Sequence, residues 1–233
     1  MKYTGLWVGG LCLLCACSSP QKAPIDYVDP FIGTGFHGHT YPGATAPFGA
    51  VQLSPDTRRG NWDASSGYHY SDSTILGFSH THLSGTGCQD LGDVLLRPTT
   101  QPVRTEGEGD IFLPAAFSHD SEKARPGYYA VELADEQIKV ELTATTFAGM
   151  HRYSYLNDKD ASVIVDLTHI LNTDDFIYEA EVKQTADNEL VGMRRTRSWV
   201  DNQYIYFVLQ FSKPIQELQR LNEKQVVARF GQE

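Results

Sequence analysis

From Gly127 to Phe230 the chain is a succession of short apolar or alternating runs, each closed by a turn signal, and no other feature narrows its fold as much. "IKVELTA" puts Ile138, Val140, Leu142 and Ala144 on one face, the alternation of a half-buried strand. "YYAVEL" precedes it, with "ADEQ" as the turn, and "FAGMHRYSY" follows. "SVIVDL" (Ser162–Leu167) is apolar at its centre without alternation, which suits a strand covered on both faces. "YEAEVKQ" and "ELVGMRRTR" flank Asp187-Asn188, a pair suited to a tight hairpin. "VDNQ" turns before "YIYFVLQF", and "QVVARF" comes last. Helical periodicity is scarce; "PIQELQRLNEK" alone offers one helix, and reads equally well as a loop. Strands with turns every 8–12 residues or so predict an all-β, antiparallel β-sandwich.

The first half is built differently. From Asp26 to about Gly92 turn residues dominate and the apolar runs are short: Gly49–Leu53, Thr74–Phe78 and Val94–Leu96. Short strands between long loops are expected there. With 233 residues, 41% of them apolar, the chain fills one sizeable core, so residues 26–233 are expected to form one domain. A net charge of −10 repels phosphate backbones and argues against a nucleic-acid partner.

The N-terminus reads as an export signal: Lys2, an apolar stretch from Leu6 to Leu14, then small residues. It is too short to span a bilayer comfortably. "LCAC" (Leu14–Cys17) is similar to the bacterial lipobox. On that reading residues 1–16 are a lipoprotein signal peptide, Cys17 is lipidated, and residues 17–25 tether the domain to a bacterial envelope membrane, on its periplasmic or outer surface. The alternative is an ordinary signal cut near Ala16. Beyond this region only Cys88 remains, so no internal disulfide is expected if Cys17 is acylated.

Five of the eight histidines fall between positions 37 and 82: His37, His39, His69, His80 and His82. Two His-x-His pairs could offer imidazoles to a transition metal. No Cys or carboxylate stands at metal-motif spacing beside them, and hydrogen bonding to backbone is the commoner use of loop histidines. Asp56, Asp63, Asp72, Asp90 and Asp93 share the region; a glycosidase needs two carboxyl groups facing across a bond, but Asx-turns and loop solvation are the plainer reading of each. Trp62, in "RRGNWDASSGYHY", has no apolar stripe to join, and an indole in a cleft can stack on a sugar. Burial is the alternative. Cys88 reads as an inert thiol rather than a nucleophile. "RRTRSW" (Arg194–Trp199) reads as a solvated face with its aliphatic stems packed down. No dinucleotide fingerprint, nucleophile elbow or Walker motif is present.

Two long segments carry a resemblance. "VDPFIGTGFHGHTYPGATAPFGAVQLSPDTR" (Val28–Arg58) and "SGYHYSDSTILGFSHTHLSGTGCQDLGDVLLRPTT" (Ser66–Thr100) closely resemble the start of glycoside hydrolase family 92, exo-acting α-mannosidases. Phe36 departs from the family pattern, where glycine is more usual. The resemblance implies an N-terminal β-sandwich packed on an (α/α)6 barrel, with the active site between them. It implies calcium-dependent, single-displacement, inverting hydrolysis of mannosides such as N-glycan mannose, the barrel supplying the acid, the base and the calcium ligands. The sequence stops near the last expected strands of the sandwich, so the expectation is a truncated member without the barrel, inactive alone, with no catalytic or calcium-binding residue of its own. What the resemblance implies for this chain is a loop face toward mannose-containing glycans. Trp62 is the leading candidate for substrate contact, and His37, His39, His80 and His82 shape the pocket or the domain interface. A free-standing carbohydrate-binding lipoprotein and a cupin-type histidine-metal protein are the competing readings.

Overall fold

The computed structural model describes residues 22–103, 114–156 and 161–231. The leader, Cys17 and the start of the tether lie outside the described residues. Among these, no helix is long and apolar enough to cross a membrane.

A seven-stranded antiparallel sheet organises the molecule. Its order is β1 (Ala44–Thr45), β2 (Gln52–Asp56), β4 (Gly77–Ser79), β5 (Leu95–Thr99), β11 (Ala161–Asp166), β16 (Gln225–Phe230) and β15 (Glu217–Asn222). A four-stranded sheet holds β10 (Gly149–Tyr155), β9 (Ile138–Ala144), β8 (Tyr128–Leu133) and β7 (Lys123–Arg125). A three-stranded sheet holds β12 (Phe176–Ala186), β13 (Glu189–Arg197) and β14 (Gln203–Gln210). β3 (Thr74–Ile75) and β6 (Ala115–Ala116) form a two-stranded clip.

Opposed residues of an antiparallel pair share a face. The registers Phe78↔Leu96, Leu96↔Val165 and Val165↔Val226 therefore set these four side chains in one row across the large sheet. Phe78 belongs to a core shared with Tyr129, Val131 and Leu133 of β8 and Ile138, Val140 and Leu142 of β9. Leu96, Val165 and Val226 belong to a second core with Ala180, Val182 and Leu190 of the three-stranded sheet. The two smaller sheets thus cover two halves of one face, and Tyr153 of β10 packs against both cores. This is the expected all-β antiparallel sandwich.

Local sequence explains most elements. β9 buries Ile138, Val140 and Leu142 as its alternation requires. β11 lies between β5 and β16 and is buried from Ser162 to Asp166, as its unbroken apolar centre requires. Asp187-Asn188 joins β12 to β13, where Ala186 pairs with Glu189. Two expectations need correction. Within "PIQELQRLNEK" residues 217–222 form β15, neither helix nor loop, because pairing with β16 and burial of Leu218 against the second core override local helix preference. The basic run is not uniformly solvated: Arg194 lies on the inward face of β13, 1% exposed, with Nη1 3.4 Å from Asp93 Oδ1. Its neighbour Arg195 does face out, between the rings of Tyr178 and Tyr204. Tyr204, Tyr206 and Val208 also point outward along β14, an edge strand among the described residues.

Leu53→Ala and Leu190→Ala remove fully buried side chains, one from each core. Each is expected to cost about 2–5 kcal/mol. Because one sheet face serves both cores, denaturant titration should show a single displaced transition in either variant, not loss of half the signal.

Candidate functional site

Trp62 opens a single 3-10 turn, Trp62–Ala64, capped by Asn61, whose side-chain oxygen accepts from the amides of Asp63 (3.0 Å) and Ala64 (3.3 Å). The cap fixes the turn and leaves the indole 54% exposed, unusual for so large an apolar ring. Two histidines of the upstream loop flank it. The His39 ring meets the indole edge-on, centroids 4.3 Å apart, and the His37 ring lies 5.2 Å away. His37 Nδ1 is 2.5 Å from Asp63 Oδ1, which joins this loop to the tryptophan's own turn. Below the ring lies Gly87: a Cβ there would come within 2.7 Å of the indole Nε1, so only glycine allows the contact.

Three segments of the chain therefore meet at Trp62. Ser66 Oγ donates to the Thr40 carbonyl (2.9 Å), the Gly85 amide to the His39 carbonyl (2.7 Å), and Ser65 Oγ to the Thr86 carbonyl (3.0 Å). His69 Nε2 lies 3.1 Å from the Phe36 carbonyl and holds the same loop from behind. Phe36 has φ +53°, the left-handed region, so the backbone keeps a conformation natural to glycine, and its ring stands 78% exposed, tilted against the His37 ring with centroids 3.9 Å apart. His39 Nε2 is buried without a hydrogen-bond partner among the described residues.

His80 and His82 are engaged elsewhere, inside the protein. His80 Nδ1 donates to the Val94 carbonyl (2.7 Å), which makes its Nε2 the acceptor of the 3.0 Å bond from His151 Nε2. His151 Nδ1 then accepts from the Tyr153 hydroxyl (2.7 Å), so both tautomers are fixed. Burial pushes His80 down to about 4, against the opposing bond to Val94; burial and the neighbouring His80 push His151 well below its ordinary value. Both rings are neutral structural groups. His82 donates from Nδ1 to the Gln52 carbonyl and turns Nε2 to Asp56 Oδ1, each at 2.7 Å. On the other side of Asp56, His169 Nε2 is 2.8 Å from Oδ2. Burial alone would raise the Asp56 carboxyl; the close imidazoles of His82, which is hydrogen-bonded to it, and of His169, which lies against Oδ2 at ion-pair distance, outweigh it and hold the group well below the usual carboxylate range.

The four motif histidines thus have separate partners and do not converge. Among the described residues no group of three or more His, Cys, Asp or Glu side chains is arranged to hold a metal ion. The loop carboxylates are individually engaged: Asp63 with His37, Asp72 with Arg58, Asp93 with Thr81 and Gln203, and Asp90 with the Leu91 amide. The Cys88 thiol is raised by burial and by Asp90 and Asp175, which makes it a poor nucleophile. What remains is a flat indole rimmed by imidazoles and a carboxylate, a surface that can stack on a sugar ring and hydrogen-bond its hydroxyls. His151 and His169 escaped sequence reasoning because each stands alone among strand residues. The only signal was the position of His169 just past a fully buried strand.

Residues 27–232 match the glycosyl hydrolase family 92 N-terminal domain. A family 92 α-mannosidase of Bacteroides thetaiotaomicron, solved free, is 36% identical with a TM-score of 0.81; the match covers 90% of this chain and 31% of that one. The same enzyme solved with mannoimidazole gives a TM-score of 0.80. An inverting mannosidase from that organism, at 23% identity and TM-score 0.67, shares the fold. An uncharacterized secreted glycosidase of Arthroderma benhamiae is 30% identical over 189 residues, 73% of this chain and 23% of that protein. The chain therefore spans less than a third of the length of these relatives.

Two outcomes are expected. Phe36→Gly relieves a left-handed side chain and should raise stability by up to about 1 kcal/mol, read by denaturant unfolding. As pH falls from about 6.5 to about 4, the unfolded chain takes up a proton that folded His80 does not, so stability falls across that window. Asp56, also depressed, adds to the loss as pH falls through the ordinary carboxylate range and below it. His151, depressed mainly by burial, contributes a loss of stability in the same sense, so a melting-temperature series against pH should slope accordingly and less steeply in His80→Gln.

Proposed function

As the chain belongs to glycoside hydrolase family 92, matching its N-terminal domain, we propose that it is the sandwich portion of an exo-α-mannosidase and that its Trp62 loop face forms one wall of the mannose cleft. The observation that carries this reading is the indole itself, 54% exposed and held in place by a capped turn, two histidines and a glycine floor. A ring of this kind stacks on the apolar face of a pyranose, and His37, with Asp63 beside it, offers donors and acceptors for hydroxyl groups. The structure of a 36% identical mannosidase with mannoimidazole supports mannose as the sugar.

On this reading inversion, calcium and proton transfer belong to a second domain. Inverting hydrolysis needs two carboxyl groups about 6.5–9.5 Å apart with a water between them. The loop aspartates here are spoken for by ion pairs and turns. This part orients the sugar and keeps water off one of its faces. Residues 1–16 as signal, lipidated Cys17 and a tether to residue 25 would then hold the cleft at an envelope membrane, near exported glycans. The loop face could also serve a free-standing carbohydrate-binding protein, and a hydrolysis assay separates both readings from an enzyme that works alone.

The chain, incubated with aryl and disaccharide α-mannosides with and without calcium, is expected to release no mannose. Turnover by the chain itself would overturn the assignment of the chemistry to another domain. In calorimetric titration with mannose, Trp62→Ala should weaken binding about tenfold, or ~1.4 kcal/mol. Unchanged affinity would remove Trp62 from the sugar site.

A further inference from the structure

We propose that Asp56 is a positioning residue for Trp62: its buried carboxylate clasps the three segments on which the indole rests and so sets the pose of the sugar-facing ring. The geometry of the clasp stands alone; its meaning for substrate rests on the reading of Trp62 given above.

Asp56 ends β2 at 0% exposure, six residues before Trp62. The loop between them is closed upon the carboxylate. The Thr57 amide donates to the Gly67 carbonyl (2.7 Å) and the Gly67 amide to the Ala64 carbonyl (2.8 Å). Gly67, at φ +87°, sits so near Asp56 Oδ1 that a Cβ would overlap it. That is the first segment. The second is the 80–92 loop, whose His82 places Nε2 2.7 Å from Oδ1 and whose Gly87 floors the indole. The third follows β11. His169 Nε2 reaches to 2.8 Å from Oδ2, and two residues on the Leu171 carbonyl accepts from the Gly60 amide (2.8 Å), fixing the approach to Trp62. Gly92 packs against both His169 and Leu171, which closes the ring of contacts.

A buried carboxylate with two imidazoles is a weak source of net stability, because desolvation consumes much of its Coulomb energy. What such a cluster does well is hold one arrangement against others, since moving any partner leaves a charge or polar atom stranded. Here it holds irregular segments that contribute few side chains to either apolar core.

The test uses the chain with Trp62 as its only tryptophan, through Trp7→Phe and Trp199→Phe, so that emission reports one ring. Asp56→Asn and His169→Ala are compared with Leu190→Ala, which weakens a distant core. Below the melting transition, acrylamide quenching should rise in Asp56→Asn, by up to roughly twofold for a ring already half exposed, with a fall in anisotropy. His169→Ala should show the same change in smaller degree, and Leu190→Ala none. Quenching and anisotropy unchanged in both clasp variants would overturn the proposal, as would an equal change in Leu190→Ala. If Asp56→Asn does not fold, His169→Ala decides alone, since it leaves the His82 pair intact. This readout needs no sugar, so it is independent of the mannose titration of Trp62→Ala, whose failure would remove the substrate meaning and leave the clasp standing.

Discussion

One row of side chains, Phe78, Leu96, Val165 and Val226, holds the structure together by lying on a single face of the large sheet. Two smaller sheets need that face, and neither could bury its own apolar side without it. The four-stranded sheet closes over one end and the three-stranded sheet over the other, with Tyr153 spanning the junction. The reverse face mixes buried apolar side chains, Leu95, Ile164 and Val227, with buried polar ones. Ser54, Asp56 and Ser79 are fully buried there, and Arg97 meets Glu136 at 3.0 Å. Buried polar groups of this sort must be paired, and pairing fixes the loops that supply the partners. The first face makes the domain, and the polar groups of the reverse face arrange the loops.

The division matches what could be read from sequence. The second half was legible because period-two alternation and turn chemistry are local properties: β9, β11 and the Asp187-Asn188 hairpin follow from a few adjacent residues. β15 was not, because Glu217–Asn222 carries residues at home in a helix and becomes a strand only through its pairing with β16. Arg194 was misjudged for a similar reason. A basic run says nothing of which arginine a strand turns inward, and Asp93, its buried counter-charge, is 101 positions away in sequence.

The loop site was half legible. The glycines and histidines of "GTGFHGHTYPG" and "GFSHTHLSGTG" marked the right segments, but only Trp62, His37 and His39 come together. His80 and His82 share the motif and serve a different end, because alternate residues after β4 point into the sandwich where Val94 and Asp56 wait. His151, the partner of His80, and His169, which shares Asp56 with His82, lie in the strand-rich half and carry no motif. Contacts that join distant segments are invisible to spacing arguments, and this site is made of little else.

The outer side of β14 bears on how the molecule behaves in company. Tyr204, Tyr206 and Val208 alternate along a strand with no neighbour beyond it among the described residues, an arrangement that invites a foreign strand to add itself. No lysine or proline interrupts "YIYFVLQF" to discourage this. The restraint is diffuse instead: a net charge of −10 keeps copies apart by mutual repulsion. Colloidal solubility therefore hangs on ionic strength, and concentrated salt, by shortening the reach of that repulsion, brings the tyrosine edges of separate molecules within range of one another.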